Sequence, residues 1–190
     1  MISEDYRQQC WSDTDWLYIQ GLSKAIDNIP NSYIREKIGK RKFGRFHLER
    51  VFSYELYYRW TKILRKTSEN PEKLFLNAEL SKHYDDKKEC KFPDVVLHGD
   101  FTNCNKQFII CEIKSSRNYI KSNPLKKDVE SLYRGVKNLC YHCGVFIYIG
   151  DSVDNIIFRI RSLLHAYENY EEGRYLFIGV NCDAHHYEIL

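Results

Sequence analysis

Two short stretches, Phe92–His98 and Gln107–Lys114, constrain this chain more than anything else in it. Each is rich in β-branched or aromatic residues, and the eight residues between them, Gly99 to Lys106, carry turn chemistry. They read as the two arms of a β-hairpin. If the loop is symmetric about Asn103, Asp94 faces Glu112 across the ladder. The two-residue period then adds Val96, His98, Ile110 and Lys114 to the same face. The opposite face, Val95, Leu97, Ile109, Cys111 and Ile113, is apolar and is expected to pack inward. Two carboxylates opposed on neighbouring strands repel unless a cation lies between them. A divalent metal or Lys114 would serve.

Pro93-Asp94 on one arm and Glu112-Ile113-Lys114 at the end of the next resembles the signature of the PD-(D/E)XK nuclease superfamily, the fold of many restriction endonucleases. The resemblance implies an α/β restriction-endonuclease-like core of order αβββαβ, a mixed central sheet flanked by helices. It also implies a site. Asp94, Glu112 and the backbone carbonyl of Ile113 would hold Mg²⁺, with Mn²⁺ able to substitute, and Lys114 would orient the attacking water. The implied reaction is phosphodiester hydrolysis leaving a 5′-phosphate and a 3′-hydroxyl, on DNA in preference to RNA, with genome defence (restriction or antiviral) or repair as the implied setting. In such folds the helix before the sheet often contributes a glutamate, and Ser53-Tyr54-Glu55-Leu56-Tyr57 resembles that position. The plain alternative for Glu55 is an i,i+4 salt bridge to Arg59.

With 190 residues, 43% of them hydrophobic, the chain suits one well-cored domain. That domain divides into an N-terminal helical and basic extension, 1–47, and a nuclease-like core, 48–181. No basic leader followed by an apolar run opens it, and no stretch reaches the roughly 20 apolar residues that span a bilayer. A cytoplasmic protein with no membrane partner is expected. The seven cysteines are then expected to be reduced thiols. A net charge of +3 says little, but its distribution says more. Seven basic residues lie between Arg35 and Arg50 against Glu36 and Glu49. This patch suits phosphate contacts, and Lys40, Arg41, Lys42 and Arg45, interleaved with Phe43 and Phe46, are candidates to hold a nucleic-acid backbone. A solvated structural loop is the plain alternative.

In chain order, Trp16, Ile19, Leu22 and Ile26 predict a helix from Asp13 to about residue 28, and Asn31-Ser32 opens a short helix ending near Gly39. Leu48, Val51, Phe52, Leu56, Trp60 and Ile63 predict a long amphipathic helix over 48–64. Residues 74–82 alternate as a first strand, which puts Glu79 within reach of the acidic face as a secondary metal-ligand candidate, or at a solvent edge. After Lys114 a polar loop leads to Pro124 and a helix with Leu125, Val129, Leu132 and Val136 inward. Lys126 and Lys127 on its outer side would extend a phosphate-binding surface or simply solubilise it. Two buried strands follow, 144–150 and 175–180, separated by a helix from Ser152 to about Tyr170.

Cys140, His142, Cys143, Cys182 and His185 would make a zinc ligand set by residue type. Cys143 precedes one buried strand and Cys182 follows the next. In parallel strands they lie at opposite ends, which argues against a structural zinc or an iron–sulfur cluster. His98 is expected to be hydrogen-bonded at its strand end, and Cys111 to be a buried small hydrophobe. Ser115 and Ser116 beside Lys114 lack the oxyanion loop of a nucleophile. A catalytically silent binding module on the same fold, or a subunit activated by a partner, is the rival reading. No segment here reads a DNA sequence, so specificity would come from DNA structure, a homodimer or a larger complex.

Overall fold

A computed structural model of the chain describes residues 2–3, 11–34, 45–68, 73–78, 93–100, 102–115, 123–150, 153–181 and 185–190. Among these the elements run α1 (Asp13–Asp27), α2 (Asn31–Ile34), α3 (Arg45–Thr67), β1 (Phe75–Ala78), β2 (Val95–His98), β3 (Gln107–Lys114), α4 (Asn123–Asn138), β4 (Cys143–Ile149), α5 (Val153–Leu164), β5 (Tyr175–Val180) and β6 (His186–Ile189). The six described strands form one mixed sheet in chain order. The pairs β1–β2, β2–β3 and β5–β6 are antiparallel; β3–β4 and β4–β5 are parallel. The chain is therefore an α/β protein with helices on its sheet.

The hairpin register follows from the loop's symmetry: Val95 pairs with Cys111, Val96 with Ile110 and Leu97 with Ile109. A bulge between Leu97 and His98 then breaks the symmetry and sets His98 opposite Gln107. The apolar face packs inward as its alternation requires. Val95, Leu97, Ile109, Cys111 and Ile113 join one core with Trp16, Ile19, Leu22 and Ile26 of α1 and Phe52, Leu56 and Trp60 of α3. The other face is also covered. Val96 and Ile110 belong to a second core with Leu125, Val129, Leu132 and Val136 of α4 and Ile156, Ile157 and Ile160 of α5. Parallel strands linked by crossover helices are buried on both sides, so the hairpin face that bears the acids is polar only at its end. Gly135 permits the close approach of α4, since a methyl there would meet Ile110 Cδ1 at 2.6 Å.

Several expectations are corrected. Helix α3 starts at Arg45 rather than Leu48, so Arg45 and Phe46 are helical and not part of a loop. The α5 helix ends at Leu164 and gives way to turns well before Tyr170. An antiparallel edge strand, β6, follows β5, where the sequence suggested none. Cys104 and Cys140 form a disulfide with Cα atoms 5.1 Å apart, against the expectation of reduced thiols. The reason is topological: the hairpin loop and the α4–β4 connection, 36 residues apart in sequence, meet at the amino end of β3. Among the described residues no helix is long and apolar enough to cross a membrane.

Candidate active site

The carboxyl end of β3 carries Glu112 and Lys114 on the face toward α4, and Asp94 sits on the neighbouring chain just before β2 begins. Asp94 is locked there by the backbone. Its N–H donates to the Cys111 carbonyl at 3.1 Å, and its Oδ2 accepts from the Ile113 N–H at 2.6 Å. The side chain has taken the place of a ladder acceptor, which fixes it beside the strand end. Lys114 Nζ then reaches back to Asp94 Oδ2 at 3.2 Å and Glu112 Oε2 at 3.4 Å. Asp94, Glu112 and Lys114, separated by up to 20 positions in sequence, are thus one cluster, with the Ile113 backbone inside it.

Two further carboxylates complete it. Asp128 of α4, almost fully buried, has its Oδ2 3.9 Å from Lys114 Nζ. Glu49, in the first turn and a half of α3, accepts from the Ser115 N–H at 2.7 Å and the Ser115 hydroxyl at 3.1 Å, directly after Lys114. One helix comes from each side of the sheet, and they meet at the carboxyl end of parallel strands, where open α/β sheets place their sites. Burial pulls the Lys114 ammonium down, but Glu112, Asp94 and Glu49 outweigh it and hold its pKa above the ordinary lysine value. Asp128 is pushed up to about 7 by burial, with Glu49 adding to the shift.

The sequence missed Glu49 and Asp128, although both left a signal. Glu49 falls on the buried stripe of α3, in step with Phe52, Leu56 and Trp60. Asp128 lies three residues after Leu125 and four before Leu132, on the apolar face of α4. A carboxylate at a core position needs a partner, and that is the pattern to search for. Glu55 sits elsewhere. It accepts from Arg59 Nε at 2.6 Å and forms the i,i+4 salt bridge, because its azimuth on α3 is well off the buried stripe. The helix does contribute a glutamate to the cluster, but it is the one six residues earlier.

Glu79, Lys40, Arg41 and Lys42 lie outside the described residues, as does the side chain of Arg45. Lys126 and Lys127 are exposed in the first turns of α4, immediately before the buried Asp128. His98 is fully buried; its Nδ1–H donates to the Gly99 carbonyl at 2.8 Å, so Nε2 accepts from the Asn77 amide at 2.7 Å. That is a structural histidine. Cys111 is buried on the far face, and burial, with Cys143, Asp94 and Glu112, pushes its thiol well up, so it is no nucleophile. Strand β4 begins at Cys143 while parallel β5 runs away from it to Val180, so a zinc set joining Cys143 to residues after β5 is blocked by topology; Cys182 itself lies outside the described residues.

Hard oxygen donors on Asp94, Glu112 and the Ile113 carbonyl match Mg²⁺ or Mn²⁺ in chemistry. They already bracket a cation, the Lys114 ammonium. Among the described residues, however, no three His, Cys, Asp or Glu side chains are assembled as a metal-holding group. No family model, curated protein or solved structure matches the chain. The cluster therefore has to be read from its own chemistry.

Proposed function

We propose that the chain is a metal-dependent nuclease with a restriction-endonuclease-like core, acting on DNA. The observation that carries this reading is the convergence of Asp94, Glu112 and Lys114 at the carboxyl end of β3, with Asp94 pinned to the Ile113 N–H. Among the described residues Asp94, Glu112 and Asp128 gather about the Lys114 ammonium, a clustering of buried charge more typical of a functional site than of folding alone. Asp94, Glu112 and the Ile113 carbonyl would hold Mg²⁺, which when bound polarises a phosphate and acidifies water. Glu49 fixes Ser115, and so holds the backbone just beyond Lys114. Asp128 would keep the Lys114 ammonium at the site while Asp94 and Glu112 release it, and Lys114 would then donate to the scissile phosphate and offset its developing charge. Lys126 and Lys127 lie beside the site to take flanking phosphates.

The test is cleavage of supercoiled plasmid, linear duplex, single-stranded DNA and RNA with Mg²⁺, Mn²⁺ or EDTA, beside Lys114→Ala and Glu112→Ala. Cutting that needs the metal and disappears in both variants supports the nuclease. Robust metal-dependent cutting by Glu112→Ala would sink the site assignment. A second reading is a nuclease-like subunit that is silent until a partner acts on it. The Lys114 ammonium paired with both Asp94 and Glu112, a self-contained arrangement, is the observation that favours it. No cutting by the isolated chain, with metal-dependent cutting restored by a cell extract, would select it.

A further inference from the structure

Helix α3 buries Phe52, Leu56 and Trp60 and turns a second, different face outward. Arg50, Tyr54, Tyr57, Tyr58, Lys62 and Arg65 recur at the spacing of one helical stripe over about 22 Å of axis. Tyr54 and Tyr58 are half exposed, at 49% and 51%, and neither contributes to either core. Cations lie on these rings. The Arg50 guanidinium stands 5.7 Å from the Tyr54 centroid with its Nε bonded to the phenol oxygen at 3.1 Å, and Lys62 Nζ stands 4.2 Å from the Tyr58 centroid. Of the helix's two described acids, Glu49 is bound to Ser115, and Glu55, at the stripe's margin one turn before Tyr58, is paired with Arg59. Toward its carboxyl end the stripe borders a groove of about 510 Å³ between α3 and the edge strand β1, lined by Tyr57, Thr61, Arg65 and Phe75. Phe75 is 51% exposed there and stacks on His98.

We propose that this ridge binds single-stranded DNA and leads it to the cluster at the carboxyl end of β3. The inference rests on the nuclease reading for its choice of DNA and deepens it by naming the form of the substrate. Exposed rings alternating with cations present π-faces and positive charge together, which is what unpaired bases on a phosphate backbone require. A duplex keeps its base faces stacked inside and offers such rings nothing. Tyrosine and arginine also suit a protein partner, but protein interfaces are depleted of lysine, and here Lys62 lies on the Tyr58 ring within the stripe. The ridge also begins where the site does. Arg50 follows Glu49, whose carboxylate is bound to Ser115 next to Lys114.

The experiment is fluorescence anisotropy of a labelled oligothymidylate, its RNA counterpart and a matching duplex with the full chain in EDTA, where nothing is cut. Single-stranded DNA is expected to bind most tightly. Tyr54→Ala and Tyr58→Ala are each expected to weaken it about tenfold, while Tyr54→Phe and Tyr58→Phe keep it within about twofold. Lys62→Gln should lower the slope of log affinity against log salt by about 0.7. Circular dichroism melts confirm that these exposed positions leave the fold intact. Tighter binding of duplex or of RNA, no binding of single strands, or a Tyr54→Ala/Tyr58→Ala double variant that binds like the parent overturns the ridge. Cleavage measured separately keeps the two ideas apart. Tyrosine-dependent binding by a chain that never cuts rejects the nuclease and keeps the ridge, and metal-dependent cutting with tyrosine-independent binding does the reverse.

Discussion

The two ends of β3 handle buried polarity in opposite ways. At the amino end, acid and base are matched one to one. Asp15 Oδ1 meets His142 Nδ1 at 2.8 Å, and Arg174 donates to the Tyr141 and His142 carbonyls at 2.6 and 3.2 Å. A disulfide closes the loops beside them. At the carboxyl end, Asp94, Glu112 and Asp128 share the ammonium of Lys114, with Glu49 close enough to act on both Lys114 and Asp128. The first end is arranged as a clamp should be. The second gathers, among the described residues, more carboxylates than cations, which is the imbalance the proposed metal would answer.

Removing the shared ammonium breaks this comparison most severely. Lys114→Ala is expected to abolish cleavage and, by removing the ammonium that three acids share, to cost about 3–5 kcal/mol of stability in EDTA. Millimolar Mg²⁺ should then raise the Tm of Lys114→Ala more than that of the parent, because the metal replaces the lost charge. Equal Tm shifts in calorimetry would mean that the acids do not hold it. At the other end, Cys104→Ser is expected to cost roughly 3–4 kcal/mol in urea titrations under oxidising conditions, from the 36-residue separation it no longer bridges, and to leave cleavage unchanged. A matching loss of cleavage would show that the two ends are coupled.

Asp15→Asn sharpens the contrast through pH. The hydrogen bond that His142 donates to the Asp15 carboxylate holds His142 above its ordinary pKa against the opposing effect of burial. Burial pushes Asp15 up, but His142 and Ser12 outweigh it and hold it below its ordinary value. The pair's stabilisation is therefore complete below the ordinary histidine value and is lost as pH rises through the raised His142 pKa. It is lost again as pH falls through the lowered Asp15 pKa. The parent should exceed Asp15→Asn by about 1–2 kcal/mol just below the ordinary histidine value, with the gap narrowing as pH rises through the raised His142 pKa. A gap independent of pH in the same urea titrations would remove the ion pair from the clamp. The smallest effect is expected at Glu55, where Glu55→Gln should change stability by a few tenths of a kcal/mol and leave cleavage alone. Glu49→Gln should instead lower cleavage about tenfold through the loosened Ser115. The reverse ranking in a cleavage assay would restore the sequence's choice of glutamate.

Hairpin register shows how far local pattern reaches. Eight intervening residues and a period of two were enough to bring Asp94, Glu112 and Lys114 together, because directly paired strands translate sequence separation into distance. Elements with strong periodicity, α1, α3, α4, β4 and β5, were legible for the same reason. Glu55 makes the salt bridge to Arg59 that was its plain alternative, because a helix offers several azimuths within two turns, and the carboxylate on the buried stripe is Glu49. The short edge strand β6 has too little pattern to announce itself.

What the sequence by itself determined is therefore the α/β class, the hairpin and the acid–acid–lysine constellation at its end, all of which follow from periods of two and 3.6. Tertiary structure alone decided which helices close on that end. Glu49 reaches Ser115 from one layer and Asp128 approaches Lys114 from the other, and Cys104 finds Cys140 across 36 residues. These meetings depend on how two helix layers stack on a twisted sheet, a global packing solution that no local period encodes.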